Sequence, residues 1–171
     1  ELWHGSISNF VKEGEAGALT GEMLQSFWNH HRYQPSAAET ISWDNSLKAL
    51  AFVAQDVQSE DVGIVLEYHL PYTGCRIDAL FFGKDSQGNN CSSIVELKQW
   101  SEALLNDDTF NLMVNGAEHL HPSQQAYDYA QHLTEIHSSY AEKHISTAPC
   151  SYCHNLTETK SNPFEDRRYS E

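Results

Sequence analysis

The sequence lacks long apolar runs and has few cysteines. No stretch comes near the roughly 18 consecutive apolar residues that a membrane-spanning helix needs, so we expect no membrane segment. Its four cysteines are too few and too unevenly spaced for a disulfide framework in a chain of 171 residues, which favours a cytoplasmic protein. The chain begins with glutamate and shows no basic and apolar leader, so we expect it to be part of a longer protein.

Positive charge is also scarce. Lysine and arginine together number 10 against 24 aspartates and glutamates, which gives a formal net charge of -14. Because phosphate contacts require lysine and arginine, this balance argues against nucleic-acid binding by the surface as a whole. A nucleic-acid enzyme of this composition would need a local basic patch, a metal ion or a partner domain. The chain is long enough for one compact domain with a core.

A β-hairpin is predicted over residues 75–100. Both arms are apolar and β-prone, whereas residues 84–90 between them are polar and include one glycine and two asparagines, which is typical of a turn. A turn centred on Gln87 places Asp78 directly opposite Glu96 on the neighbouring strand. Facing residues of antiparallel strands have Cβ atoms roughly 4.5–5.5 Å apart. The two acids are therefore expected to lie close together.

Charged side chains gather on one face of this hairpin. Side chains two apart on a strand share a face, so Glu96 lies with Lys98, and Asp78 lies with Arg76. Two carboxylates at this spacing repel each other unless a cation lies between them, and a divalent metal ion is the usual solution. Alternatively, these residues are solvated charges on the outer face of a strand. Their apolar neighbours favour burial, where unpaired charge is costly.

Helical periodicity, caps and breakers predict the other elements. In chain order these are a helix from Ser6 to Gly14, a helix from Leu19 to His30, a helix from Ser36 to Val57, a strand from Gly63 to Leu70, the hairpin, a polar loop over 101–120, a helix over 121–140 and a strand over 145–156. Residues 1–156 are predicted to form one domain, and 157–171 to form a polar linker or tail.

Two further acids and one cysteine motif have alternative interpretations. Glu39 is either only a capping residue of the third helix or an acidic ligand at the sheet edge. Glu67 is either another acid near the metal or a charge on an exposed strand face. The sequence also contains a C-x-x-C-H motif, which is typical of zinc binding or of haem attachment. Its residues are Cys150, Cys153 and His154. Residues three apart on a strand point to opposite faces, however, and no second cysteine pair follows.

The order of helix, three-strand meander with D…ExK, helix with Q-x-x-x-Y, and strand resembles the PD-(D/E)XK nuclease superfamily, particularly its RecB-like branch. The matching residues are Asp78, Glu96, Lys98, Gln125 and Tyr129. The resemblance implies an α/β fold with a restriction-endonuclease-like αβββαβ core. Glu39 matches only by position, where the superfamily often has an acid on its first core helix.

Several longer phrases are similar to the amino-terminal nuclease-like region found ahead of a Schlafen group 3-like P-loop helicase domain in bacterial proteins. These phrases are LWHGSISNF, SWDNSL, VLEYHLP, RIDALFFG, IVELKQW and HPSQQAYDY. The resemblance implies a carboxy-terminal helicase or ATPase partner domain beyond this chain, and a role in antiviral defence or DNA processing.

The resemblance also implies a Mg²⁺- or Mn²⁺-dependent deoxyribonuclease. Asp78, Glu96 and the Leu97 carbonyl would hold the metal, with Glu39 as a further candidate ligand. Lys98 would orient the attacking water or stabilise the transition state, Gln125 and Tyr129 would position the water or the strand, and Arg76 would pair with a phosphate or with a carboxylate. RNA as substrate and an oligomeric state stay open. The alternative function is an inactive module of the same fold that binds nucleic acid or a partner protein.

Overall fold

The computed structural model describes residues 1–57, 59, 61–109, 111–157 and 163–165. Its elements, in chain order, are β1 (Trp3–Ser6), α1 (Ile7–Ala16), α2 (Leu19–His31), α3 (Ala37–Ala54), β2 (Gly63–His69), β3 (Arg76–Lys84), β4 (Asn90–Lys98), β5 (Leu104–Leu105), β6 (Leu112–Val114), β7 (Ala117–His119), α4 (Pro122–Ile136), α5 (Ser138–Lys143), β8 (Ser146–Cys153) and a 3-10 turn (Pro163–Glu165). The chain is therefore of mixed α/β class, as predicted. Among the described residues, no helix combines the length and apolarity that spanning a bilayer requires.

Five strands form the main sheet, in the order β1-β2-β3-β4-β8. Neighbouring strands are antiparallel except β4 and β8, which run parallel. A parallel pair needs a long crossover connection, and the segment that contains α4 provides it. The predicted order of helix, three-strand meander, helix and strand is confirmed as α3, β2, β3, β4, α4 and β8.

The β3–β4 hairpin has the predicted register. Gly83 pairs with Cys91, and Ala79 pairs with Val95. The turn between the strands uses Gly88 at a φ of 84°, a left-handed conformation that costs glycine little because it has no Cβ. Turn chemistry and the apolar arms therefore fixed the strand pairing.

Two apolar clusters pack on the two faces of the sheet. Ala79 and Val95 belong to the cluster that includes residues of α1, α2 and α3. Their chain neighbours Leu80 and Ile94 belong to the cluster that includes residues of α4 and α5. Because successive strand residues point to opposite faces, the sheet is covered by helices on both sides.

The first helix continues past Gly14, where the sequence predicted its end. It stops at Gly17, which adopts a φ of 69° and donates its N–H to carbonyls of the last turn. Gly14 instead lies inside α1 at its contact with α3. A Cβ at this position would lie 2.5 Å from the Cβ of Ala51. The glycine is thus needed for close helix packing and not for termination.

Short strands and one helix break were also not predicted. β1 has only four residues, and it pairs with β2 about sixty positions later in the chain. Residues 101–120, predicted to be a loop, contain the small sheet of β5, β6 and β7, whose strands have two or three residues each. The predicted helix over 121–140 is interrupted at His137, whose extended backbone ends α4 and whose side chain accepts a hydrogen bond from Ser139 N–H at the start of α5.

Part of the predicted tail packs against the domain. The Phe164 ring lies 6.3 Å from the Trp100 ring and 5.5 Å from the His121 ring, measured between centroids. The packed part of the chain therefore extends beyond residue 156. Residues 158–162 and 166–171 of the predicted tail lie outside the described residues.

The contact between α1 and α3 gives a testable difference between two helical glycines. Gly14→Ala should lower the free energy of unfolding by about 1–3 kcal/mol, because overpacking at Ala51 outweighs the better helix propensity of alanine. Gly21→Ala in α2 should be neutral or stabilising by up to about 1 kcal/mol, because a Cβ there meets no atom within 4 Å. Urea denaturation of both variants measures the difference. Equal effects would contradict the proposed packing role of Gly14.

Candidate active site

A cleft of about 340 Å³ opens between α3 and the ends of β2, β3 and β4. The charged side chains that line it are Glu39, Glu67, Asp78, Glu96, Arg76 and Lys98. Five of these six were candidate site residues in the sequence, and Leu97 also lines the cleft. The structure therefore brings the predicted core motif together with the acid of the long helix α3.

Asp78 lies where the hairpin strands stop pairing. The hydrogen-bonded ladder ends one position before Asp78 and Glu96, so these two residues follow the predicted register but are not themselves a ladder pair. Instead, the Asp78 carboxylate accepts a hydrogen bond of 2.8 Å from the Leu97 N–H. A side chain of β3 thus satisfies a donor that a continuing ladder would pair with backbone. Burial raises the pKa of Asp78, and the Leu97 N–H and the nearby cations oppose this shift.

Glu96 is only 2% exposed and is held by two side chains. Its Oε1 accepts hydrogen bonds from Lys98 Nζ and from Gln125 Nε2, both at 2.7 Å. Gln125 Nε2 also donates to the Tyr129 hydroxyl at 2.8 Å, and Gln125 Oε1 accepts from Lys98 at 3.3 Å. Gln125 and Tyr129 are four residues apart on α4 and so share one helix face. The Q-x-x-x-Y helix therefore meets the ExK strand, as the resemblance implies.

The other carboxylate oxygen of Glu96, Oε2, is buried and has no hydrogen-bond partner. Burial, followed by the charge of Asp78, raises the pKa of Glu96, and Lys98 opposes this shift. A buried polar atom without a partner is costly, and a cation beside it would remove that cost.

The oxygen donors at this position fit Mg²⁺ or Mn²⁺. Mg²⁺ is usually bound by one or two carboxylates, while waters and substrate phosphates complete its shell. Asp78, Glu96 and the Leu97 carbonyl provide such a set. Within residues 1–57, 59, 61–109, 111–157 and 163–165, no three His, Cys, Asp or Glu side chains group as a metal site. The fit is therefore to a site with two carboxylates.

Glu67 is a buried member of the cleft, so of its two predicted positions, near the other acids or on an exposed strand face, the exposed one is wrong. It is 6% exposed, and its Oε1 accepts a hydrogen bond of 3.1 Å from Trp43 Nε1 of α3. Burial, followed by the charge of Asp78, raises the pKa of Glu67 to about 7, although Arg76 and Trp43 oppose the shift. The signal that could have found it is the one used for Glu96, a single acid within an apolar strand.

Arg76 and Glu39 pair with each other. Arg76 donates a hydrogen bond of 2.8 Å to Glu39 Oε1, and its other terminal nitrogen lies 2.9 Å from Glu67 Oε2 in an ion-pair contact. Of the two partners predicted for Arg76, a phosphate or a carboxylate, the structure contains the carboxylate. Glu39 is also at the helix start, where its N–H donates to Ser36 Oγ, but its carboxylate points to Arg76 and so does not close the predicted capping box.

The cysteine motif near the end of the chain lies on a strand, as predicted. Cys150 and Cys153 are both free thiols on β8. His154 Nε2 lies 3.0 Å from the hydroxyl oxygen of Ser46 on α3, within hydrogen-bond distance. These contacts give the histidine a structural role next to α3.

No family model, no curated protein and no solved structure matches this chain. The resemblance to the PD-(D/E)XK superfamily and to helicase-associated nucleases therefore receives no support from these comparisons. The functional argument depends on the contacts within the cleft.

The raised pKa of Glu67 predicts that stability depends on pH. Because the pKa rises from 4.5 to about 7, the protonated carboxyl stabilises the fold fully below pH 4.5, and this contribution is lost as the pH rises through 7. Glu67→Gln removes the titration and keeps an acceptor for Trp43. The wild type should lose stability between pH 5 and pH 8 in EDTA, by about 2–3 kcal/mol at most, and this loss should be absent in the variant.

Thermal unfolding of both proteins across this range measures the effect. Glu102→Gln, the same change at an exposed position, is the matched control and should show no change relative to the wild type. A constant difference in melting temperature between Glu67→Gln and the wild type from pH 5 to pH 8 would argue against the buried, protonated carboxyl.

Proposed function

We propose that this chain is a metal-dependent nuclease with a PD-(D/E)XK fold that hydrolyses phosphodiester bonds of DNA. The observation that carries the proposal is the buried and unpaired Oε2 of Glu96, which lies in a cleft with Asp78 and next to Lys98. A bound cation would stabilise a buried carboxylate oxygen that has no hydrogen-bond partner, and the lysine beside it could pair with a phosphate.

The chain's own residues have separate roles in this proposal. Asp78, Glu96 and the Leu97 carbonyl would hold Mg²⁺ or Mn²⁺, which supplies charge neutralisation at the phosphate and activation of the attacking water. Lys98 would donate a hydrogen bond to a phosphoryl oxygen or to that water, where the negative charge of the transition state develops. The Lys98 side chain is only 20% exposed, so solvent weakens this interaction little.

The Q-x-x-x-Y pair would position the metal ligands. Gln125 donates to Glu96 and to Tyr129, so it fixes the orientation of the carboxylate that also binds the metal. Burial raises the pKa of Tyr129 to about 12, and its hydroxyl therefore stays protonated at neutral pH. Tyr129 is thus a neutral anchor for Gln125 and is no candidate for a base.

The proposal also includes the context implied by the resemblance. A helicase or ATPase domain elsewhere in a longer cytoplasmic protein would supply the positive surface that this chain lacks, since its formal net charge is -14. A role in antiviral defence or DNA processing would follow from that partner.

A second function has one observation in its favour. Arg76 and Lys98 already pair with Glu39, Glu67 and Glu96, so half of the formal negative charge of the four carboxylates in the cleft is neutralised without a metal. Such pairing would suit an inactive module that binds nucleic acid or a partner protein. Thermal unfolding with and without Mn²⁺ distinguishes the two functions, because a metal site that exists only in the folded state stabilises it.

Nuclease activity is tested by incubating the purified chain with single-stranded DNA, double-stranded DNA and RNA, with Mn²⁺ or with EDTA. We expect cleavage of DNA only with the metal. Asp78→Ala and Lys98→Ala should each lower the cleavage rate by about 100-fold or more. Lys84→Ala at the exposed end of β3 is the matched control and should cleave at the wild-type rate.

The variants also separate metal binding from chemistry. Lys98→Ala should keep the thermal stabilisation by Mn²⁺, whereas Asp78→Ala should lose it, because Asp78 would be a metal ligand and Lys98 would not. Cleavage that survives both substitutions would remove the proposed site. Cleavage of RNA alone would retain the site and change the substrate.

A further inference from the structure

One arginine of the cleft lies between two acids. The Arg76 guanidinium contacts Glu39 Oε1 at 2.8 Å and Glu67 Oε2 at 2.9 Å. The two acids come from different elements, α3 and β2, and Arg76 itself begins β3. A single guanidinium thus joins three elements at the position where both carboxylates point.

The backbone of Glu67 indicates that this arrangement is specific. Glu67 has a φ of 51°, in the left-handed region that non-glycine residues rarely adopt, and it lies in the middle of the path of β2. Leu66 before it belongs to the cluster of α1–α3, and Tyr68 after it packs with the cluster of α4. Turning the backbone here directs the Glu67 carboxylate into the cleft, toward Arg76 and Trp43. Strain of this kind persists only where surrounding contacts hold it.

The formal charge of the cleft corresponds to one divalent ion. Four carboxylates and two cationic side chains line it, so its formal charge is -2 when all six groups are ionised. One divalent ion cancels this charge. A second ion would need the carboxylates that Arg76 already holds, and it would lie against the guanidinium and be repelled.

We propose that Arg76 fills the position of a second cation, so that the wild-type cleft binds one divalent metal ion, at Asp78 and Glu96. Removing the guanidinium frees Glu39 and Glu67 and creates a second metal site between them. This inference rests on the proposed function, because the first ion is the one that the proposed nuclease needs. It also changes the role of Glu39, which pairs with an internal cation and is not a metal ligand in the wild type.

The experiment is a titration of the folded chain with Mn²⁺ at pH 8. Calorimetry measures the number of bound ions, and the electron paramagnetic resonance signal of free Mn²⁺, which decreases as the ion binds, measures it independently. We expect one ion per wild-type chain and two per Arg76→Met chain. Arg32→Met changes the other arginine of the described residues, which is exposed, and should bind one ion. Adding Glu39→Gln and Glu67→Gln to Arg76→Met should return the number to one.

The outcomes separate this inference from the proposed function. One ion in both the wild type and Arg76→Met overturns the role of Arg76 and leaves the nuclease site intact. No ion in the wild type but one in Arg76→Met retains the role of Arg76 and removes the metal-dependent nuclease. Two ions in the wild type, or none in either protein, overturn the inference.

Folding of the variant provides a second measurement. If Arg76→Met is unfolded without metal, its melting temperature is measured at increasing Mn²⁺ concentration. This dependence gives the number of bound ions, because each ion that binds only the folded state raises the melting temperature. A dependence that corresponds to two ions supports the inference. A dependence identical to that of the wild type contradicts it.

Discussion

Buried charge is the constraint on which the candidate site depends. Glu67 and Glu96 are nearly inaccessible to water and lie within strands whose other residues form the two apolar clusters. Ionised carboxylates in such surroundings need cations within contact distance. Arg76 and Lys98 provide them at 2.7–2.9 Å, and both residues come from the same hairpin that carries Asp78. The register of β3 and β4 therefore determines the charge balance of the cleft as well as the packing of the sheet.

The cleft lies where the pairing of β3 and β4 ends. Before that position, Ala79 and Val95 belong to one apolar cluster and their neighbours Leu80 and Ile94 to the other. Pairing stops at the position of Asp78, whose carboxylate replaces a backbone acceptor for the Leu97 N–H. At this end of the hairpin, Gln125 of α4 donates a hydrogen bond to Glu96. The left-handed backbone of Glu67 directs its carboxylate into the cleft, where it accepts a hydrogen bond from Trp43 of α3. Helices of both layers thus contribute to one set of carboxylates.

The sequence was informative where an element is long and periodic. The hairpin register followed from one polar turn, and helix α3 and strand β8 were found because their patterns extend over many residues. β1 and the small sheet were missed because two to four residues carry no measurable period, and their pairing partners lie far away in the chain or are equally short. The sequence alone predicts a helix end at Gly14, because glycine is favoured both at helix ends and at close helix contacts, and only the neighbouring Ala51 distinguishes the two.

For the site, residue identities were easier to predict than partnerships. Asp78, Glu96, Lys98, Gln125 and Tyr129 meet because their order along the chain matches the order of the elements. That Arg76 pairs with Glu39 and Glu67 depends on where α3 crosses the sheet, and no local pattern encodes that position. The backbone turn at Glu67 is likewise invisible in the sequence, since neither Leu66 nor Tyr68 beside it favours a positive φ.

The acidic surface is compatible with nucleic-acid binding at the cleft only if the attraction between the cleft and the nucleic acid acts over a short distance. Beyond about 8–10 Å, salt screens the charges of the chain, so the formal net charge of -14 acts mainly on the approach of a nucleic acid and less on contacts within the cleft. At the cleft itself, one divalent ion would bring the six charged groups to neutrality, and a phosphate would then meet Lys98 without net repulsion. Binding would consequently be weak and dependent on metal in this chain alone, and a basic partner domain would raise the affinity without changing the chemistry of the cleft.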